Sequence, residues 1–165
     1  MIIINKKGTL NYNNKLYKCT YGKNGFTKNK TEGDKKTPEG IFSLGKLFVR
    51  TDKIKKLKTN FHINSINKKM TWLDDPTNKN YNTLINTNGS QSEKLHRKDN
   101  LYDIILIIKY NTNPVIPYKG SAIFMHIMDN NHKPTKGCIG LKINDFMEIL
   151  STLKINDKIK ILNKI

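Results

Sequence analysis

Leu101-Tyr102-Asp103-Ile104-Ile105-Leu106-Ile107-Ile108-Lys109-Tyr110 is the stretch on which the fold turns. Its apolar centre, Ile104 to Ile108, is the longest uninterrupted apolar run of the chain and is mostly β-branched. A membrane span needs roughly 18 or more such residues, so this run has the length of a strand. Consecutive β-branched residues are expected of a central strand covered on both faces. Downstream, Ala122–Met128 reads as a second buried strand and Lys158–Leu162 as a final one, with Ile159 and Ile161 inward. Upstream, Ile2–Ile4, Thr9–Tyr12 and Leu16–Tyr21 read as short strands joined by turns at Lys6-Lys7-Gly8 and Asn13-Asn14. Thr37-Pro38-Glu39-Gly40 reads as a turn, and Ile41–Leu44 and Leu47–Val49 as extended.

One helix is expected. Asp145 is placed to cap it with Glu148 in a capping box, and Phe146, Ile149, Leu150 and Leu153 share a face. Gly22 to Lys36 is polar and reads as a loop; 51–97 is polar and irregular, with Trp72-Leu73-Asp74-Asp75-Pro76 and Tyr81-Asn82 as a structured loop. Many strands and one late helix predict a mainly β fold, a sandwich or barrel, in a single domain over residues 1–165.

The formal charge of +17 suggests a nucleic-acid protein, but its make-up argues otherwise. There are 28 Lys and only 2 Arg, with 22 Asn and 22 Ile, the pattern of an AT-rich coding bias that loads the surface with Lys and Asn. Base readout favours the guanidinium fork, and only Arg50 and Arg97 carry one. Electrostatic association with an anionic polymer needs point charges alone. Two cysteines, Cys19 and Cys138, make no disulfide framework. The first seven residues lack the pattern of a signal peptide, and no transmembrane segment is expected.

Chemistry concentrates near the C-terminal third. His126 lies on the Ala122–Met128 strand, sharing a face with Phe124 and Met128. Twelve residues on comes Thr135-Lys136-Gly137-Cys138-Ile139-Gly140-Leu141, a thiol on a glycine-flanked turn. A Cys and a His close enough to meet across one hairpin suggest covalent acyl transfer, because imidazole activates a thiol near neutral pH. Gly137 lets backbone approach a substrate and leaves amides free for an oxyanion, and Lys136 favours the thiolate. His126, His132 and Cys138 match no structural zinc spacing, so neither metal nor cofactor is expected.

Five stretches carry a resemblance: Thr37-Pro38-Glu39-Gly40-Ile41-Phe42; Trp72–Pro76 with Tyr81-Asn82; Leu101-Tyr102-Asp103; Gly120–His126; and Pro134–Leu141. Together, and in this order, they resemble the L,D-transpeptidase catalytic domain (YkuD-like), in its short stand-alone bacterial branch, over about residues 8–161. The resemblance implies a cysteine peptidyltransferase acting on peptidoglycan stem peptides. Cys138 takes the place of its nucleophile and His126 that of its base, with oxyanion donors around Gly137 and Cys138. It also implies a location in the cell envelope or periplasm.

Two positions depart from the family pattern. Many members carry Ser-His-Gly-Cys where this chain has Thr135-Lys136-Gly137-Cys138, so the second histidine is absent and any role it has passes to Lys136. Many place Arg or Asn where Gly140 stands, and carboxylate recognition then falls to Arg50 or Arg97. Two rival readings remain: a catalytically silent module of the same fold that binds anionic cell-wall polymer, and a basic nucleic-acid-binding protein.

Overall fold

The computed structural model describes residues 1–87 and 92–164. Among them, the strands are β1 (Ile2–Asn5), β2 (Thr9–Tyr12), β3 (Lys15–Thr20), β4 (Phe26–Thr27), β5 (Thr37–Pro38), β6 (Gly40–Val49), β7 (Ile63–Ser65), β8 (Met70–Trp72), β9 (Leu84–Asn86), β10 (Glu93–Lys94), β11 (Ile104–Ile108), β12 (Phe124–Ile127), β13 (Ile139–Leu141) and β14 (Lys158–Leu162). The one helix, α1, spans Ile143–Thr152. The fold is mainly β, as the strand-rich pattern predicts.

The large sheet runs β11-β12-β13-β3-β2-β1-β14-β6, and β6 also pairs with β11, so the sheet closes like a barrel. The ten-residue β6 makes this possible by serving two partners. Gly40–Ser43 pair with β14, and Leu44–Val49 pair with β11. Two extended pieces were expected here; they are one continuous strand, because closure requires a strand long enough to bridge both neighbours.

β11 is buried at every position, as expected of a strand covered on both faces. Ile104, Leu106 and Ile108 join the inner core with Ile2, Ile4, Leu10, Phe146 and Leu150. Ile105 and Ile107 face a second, outer core with Phe48, Trp72, Tyr102 and Phe124. The outer core is covered in part by a small sheet, β10-β8-β9. The irregular middle thus contains four short strands, β7 to β10. Strands of two or three residues, only partly buried, leave no apolar alternation to read.

The capping box does not form. The helix starts at Ile143 with Lys142 as its cap, so Asp145 lies inside the first turn. There its charge complements the helix dipole, while Glu148 is paired with Lys15 at 2.6 Å. No helix among the described residues is long and apolar enough to cross a membrane.

Candidate active site

β12 and β13 are adjacent and parallel, with Met125 opposite Ile139 and His126 opposite Gly140. The hairpin expected between His126 and Cys138 is therefore replaced by a crossover, Met128 to Cys138, which returns the chain to the same end of the sheet. Cys138 sits just before β13, and its Sγ accepts a hydrogen bond from Phe124 N–H at 3.4 Å. Alternation then places Cys138 and His126 on one face, that of Phe124. Both line a cleft of about 540 Å³.

Each is nearly buried, at 6% exposure for His126 and 8% for Cys138. His126 Nδ1 is 2.8 Å from Ile127 O. A carbonyl only accepts, so Nδ1 carries the proton and Nε2 is left as the base. Tyr102 packs edge-on against the imidazole, with ring centroids 5.3 Å apart. Burial lowers the His126 pKa to about 4, and the charge of Arg97 adds to that direction. Burial also pushes the Cys138 thiol up to about 12; Glu93 reinforces this, while Phe124 N–H and Lys30 oppose it. Burial thus favours the uncharged form of both the thiol and the imidazole. The thiol proton points at Ala122 O, 3.1 Å from Sγ.

The backbone that receives this proton is held in place. Ala122 has φ +51°, the left-handed region that a side chain disfavours. Its N–H donates to Asn82 Oδ1 at 3.0 Å, and the same oxygen accepts from Trp72 Nε1 at 2.9 Å. Asn82 Nδ2 donates to the carbonyls of Tyr110 and Asn111. Asn82 is therefore a buried hub that links the Trp72 loop to the segment facing the thiol.

Gly137 has φ +141°, and a Cβ there would lie 2.8 Å from Lys36 O, so only glycine fits. Its N–H is already taken by Thr135 Oγ1 at 3.0 Å, and its carbonyl accepts from Thr37 Oγ1 at 2.9 Å. Lys136 lines the cleft, as does Arg97. The Arg97 guanidinium lies over the Tyr102 ring, 5.0 Å from its centroid, and pairs with Asp99 and Glu93. Arg50 does not line the cleft. It is buried, with Nε and Nη2 on Asp52 and Nη1 on Arg97 O, so it supports the Arg97 segment. Cys19 is a free buried thiol on β3, with no bridge to Cys138.

Two cleft residues, Glu32 and Lys30, had no sequence signal, whereas Asp74 belongs to the Trp72–Pro76 loop already singled out. Glu32 accepts from Ser121 Oγ at 2.7 Å and from the Tyr81 hydroxyl. Asp74 is raised above the usual carboxylate range, chiefly by burial and also by Glu93 and Glu32. Lys30, in the polar loop before β5, is buried against the Gly137-Cys138 turn. These residues come from distant loops whose polar composition resembles any solvated surface.

A thiol and an imidazole on one face of a closed mixed sheet, lining one cleft with several charged side chains, define the class of site. The sequence profile of the L,D-transpeptidase catalytic domain (YkuD) matches residues 1–161, and the chain belongs to that family. Two solved structures are similar to it. Bd1075 of Bdellovibrio bacteriovorus is 13% identical, with 99% of this chain and 47% of that chain covered and a TM-score of 0.50. The helical cell shape determining protein Pgp2 of Campylobacter jejuni is 15% identical, with 99% and 47% covered and a TM-score of 0.45. The chain spans about half the length of these proteins, and the first likeness supports the shared fold alone. Among curated proteins, none matches the sequence.

Proposed function

We propose that this chain is a cysteine acyltransferase acting on peptidoglycan stem peptides in the cell envelope, as an L,D-transpeptidase or L,D-carboxypeptidase. The observation that carries the reading is the placement of Cys138 and His126 on one face of adjacent strands within one cleft. Family membership supports the substrate class.

In this mechanism, His126 Nε2 takes the Cys138 proton as sulfur attacks the carbonyl carbon before the terminal D-alanine. The neutral pair suits general-base attack: the proton moves as the bond forms, with no standing ion pair. Negative charge developing on sulfur raises the basicity of the adjacent imidazole. Gly137 N–H being occupied, the Cys138 N–H is the turn donor for the oxyanion. D-Alanine leaves with the proton from the imidazolium, and a thioester remains. An amine of a second stem resolves it into a cross-link, or water resolves it into a trimmed stem. Lys136 and Arg97 are the cleft cations that meet substrate carboxylate.

Release of D-alanine from a tetrapeptide stem tests the scheme. Cys138→Ala is expected to reduce it to background, and His126→Ala to slow it by about 10²–10⁴-fold. Full turnover by Cys138→Ala overturns the scheme. The silent-module reading draws on the buried thiol held to Ala122 O. Incubation with a carbapenem followed by intact-mass measurement separates the two. An adduct mapped to Cys138 supports the enzyme; an unmodified chain that still binds cell walls supports the module.

A further inference from the structure

The loop Gly22 to Lys36 delivers a buried cation to the back of the catalytic turn. The Lys30 side chain is only 3% exposed. Its Nζ donates to Asp34 Oδ1 at 2.6 Å and to Lys36 O at 2.9 Å. Lys36 O is the same atom that approaches within 2.8 Å of a Cβ built on Gly137, and Lys30 Nζ lies 3.6 Å from that point. The stem of Lys30 crosses Gly120, where a Cβ would meet Lys30 Cε at 2.7 Å. Gly120 thus makes room for the Lys30 stem, and Gly137, beside the proposed nucleophile, makes room for Lys36 O, the carbonyl that Lys30 holds. Lys30 also lines the cleft that holds Cys138 and His126.

We infer that Lys30 is a positioning residue for Cys138: its fixed ammonium, tethered by Asp34 and Lys36, favours the anion that forms on sulfur during acyl transfer. This rests on the reading of Cys138 as nucleophile. An ammonium buried this deeply is little screened by salt, so it acts on the turn more strongly than an exposed lysine would. Lys136, on the turn itself, is exposed. The charged and titratable groups that line the cleft with the thiol include Lys30 from its loop, Glu93 on β10, Arg97 and Tyr102 before β11, His126 on β12 and Lys136. Of these, Lys30 draws the thiol toward ionisation and Glu93 opposes it. Lys30 therefore supplies a positive charge on a turn that lacks a second histidine.

The test is the rate of Cys138 alkylation by iodoacetamide against pH, with the site read by peptide mapping so that Cys19 is counted separately. Lys30→Met is expected to slow alkylation about tenfold near pH 8, because thiolate becomes rarer. Asp34→Asn, which leaves Lys30 without its counter-charge, is expected to speed it. A merely structural lysine predicts no such reversal: both variants then loosen the turn and shift the rate in the same direction. Equal shifts, or none, overturn the inference. If Lys30→Met lacks a cooperative melting transition, Asp34→Asn decides alone: faster alkylation upholds the inference, and an unchanged or slower rate overturns it. A wild-type Cys138 that resists alkylation at every pH removes the nucleophile reading, and this inference with it.

Discussion

His126 carries a pH dependence whose sign follows from its burial. An exposed imidazole titrates near 6.5, whereas burial holds this one near 4. Above 6.5 the ring is neutral in both folded and unfolded chains and contributes no pH dependence. As the pH drops from 6.5 to 4 the unfolded chain binds a proton that the folded site refuses, so stability is lost as the pH falls, on the order of 3 kcal/mol by pH 4. Urea unfolding at about pH 7 and pH 4.5 checks this; His126→Gln is expected to lose less stability over that interval than wild type. The same low pKa predicts that turnover keeps its neutral base down to about pH 4 and fails below it. Asn82 makes a second residue-scale prediction. Its side chain serves Trp72, Ala122, Tyr110 and Asn111 and sits at φ +56°, so Asn82→Ala leaves several buried groups unpaired. A loss of about 2–4 kcal/mol in thermal unfolding is expected, together with slower carbapenem acylation.

Among the elements, β11 separates the two cores, and its alternate residues are equally buried on opposite faces. Leu106→Ala opens a cavity in the inner core and Ile105→Ala one in the outer core. Each is expected to cost about 2–5 kcal/mol in denaturant unfolding. Ile3, on the outer side of β1, is 39% exposed, and Ile3→Ala is expected to change stability by only about 0.5 kcal/mol. The apolar run of β11 was readable because burial on both faces leaves a continuous pattern. The short strands β7 to β10 were not, since β8, β9 and β10 are ordered by pairing with one another and β7 by pairing with β6. The helix was readable from its apolar face, but its start was misplaced: Lys142 takes the cap, where an Asp was expected.

At the scale of the molecule, a charge of +17 attracts any polyanion, and the lysines are scattered along the chain. Retention on purified cell walls is expected to weaken steeply between about 0.05 and 0.5 M salt, because exposed charges are screened over a Debye length of about 10 Å or less. Unchanged retention at the higher salt would point to a specific contact. The cleft differs from the surface around it: Glu32, Asp74 and Glu93 line it together with Lys30, Lys136 and Arg97. Closure of the sheet through β6 and the crossover between β12 and β13 bring these side chains together from loops far apart in sequence.

By itself the sequence determined a mainly β chain, its most buried strand, the helix face, and a thiol and an imidazole close in sequence. These properties are local: alternation, apolar runs and short motifs record how each segment meets its surroundings. Tertiary structure alone decided that His126 and Cys138 line one cleft, that Arg97 and not Arg50 reaches it, and that burial favours the uncharged form of both. It alone brought Lys30 behind Gly137. Contacts between residues a hundred positions apart, and the desolvation that shifts a pKa, exist only once the chain has closed around them.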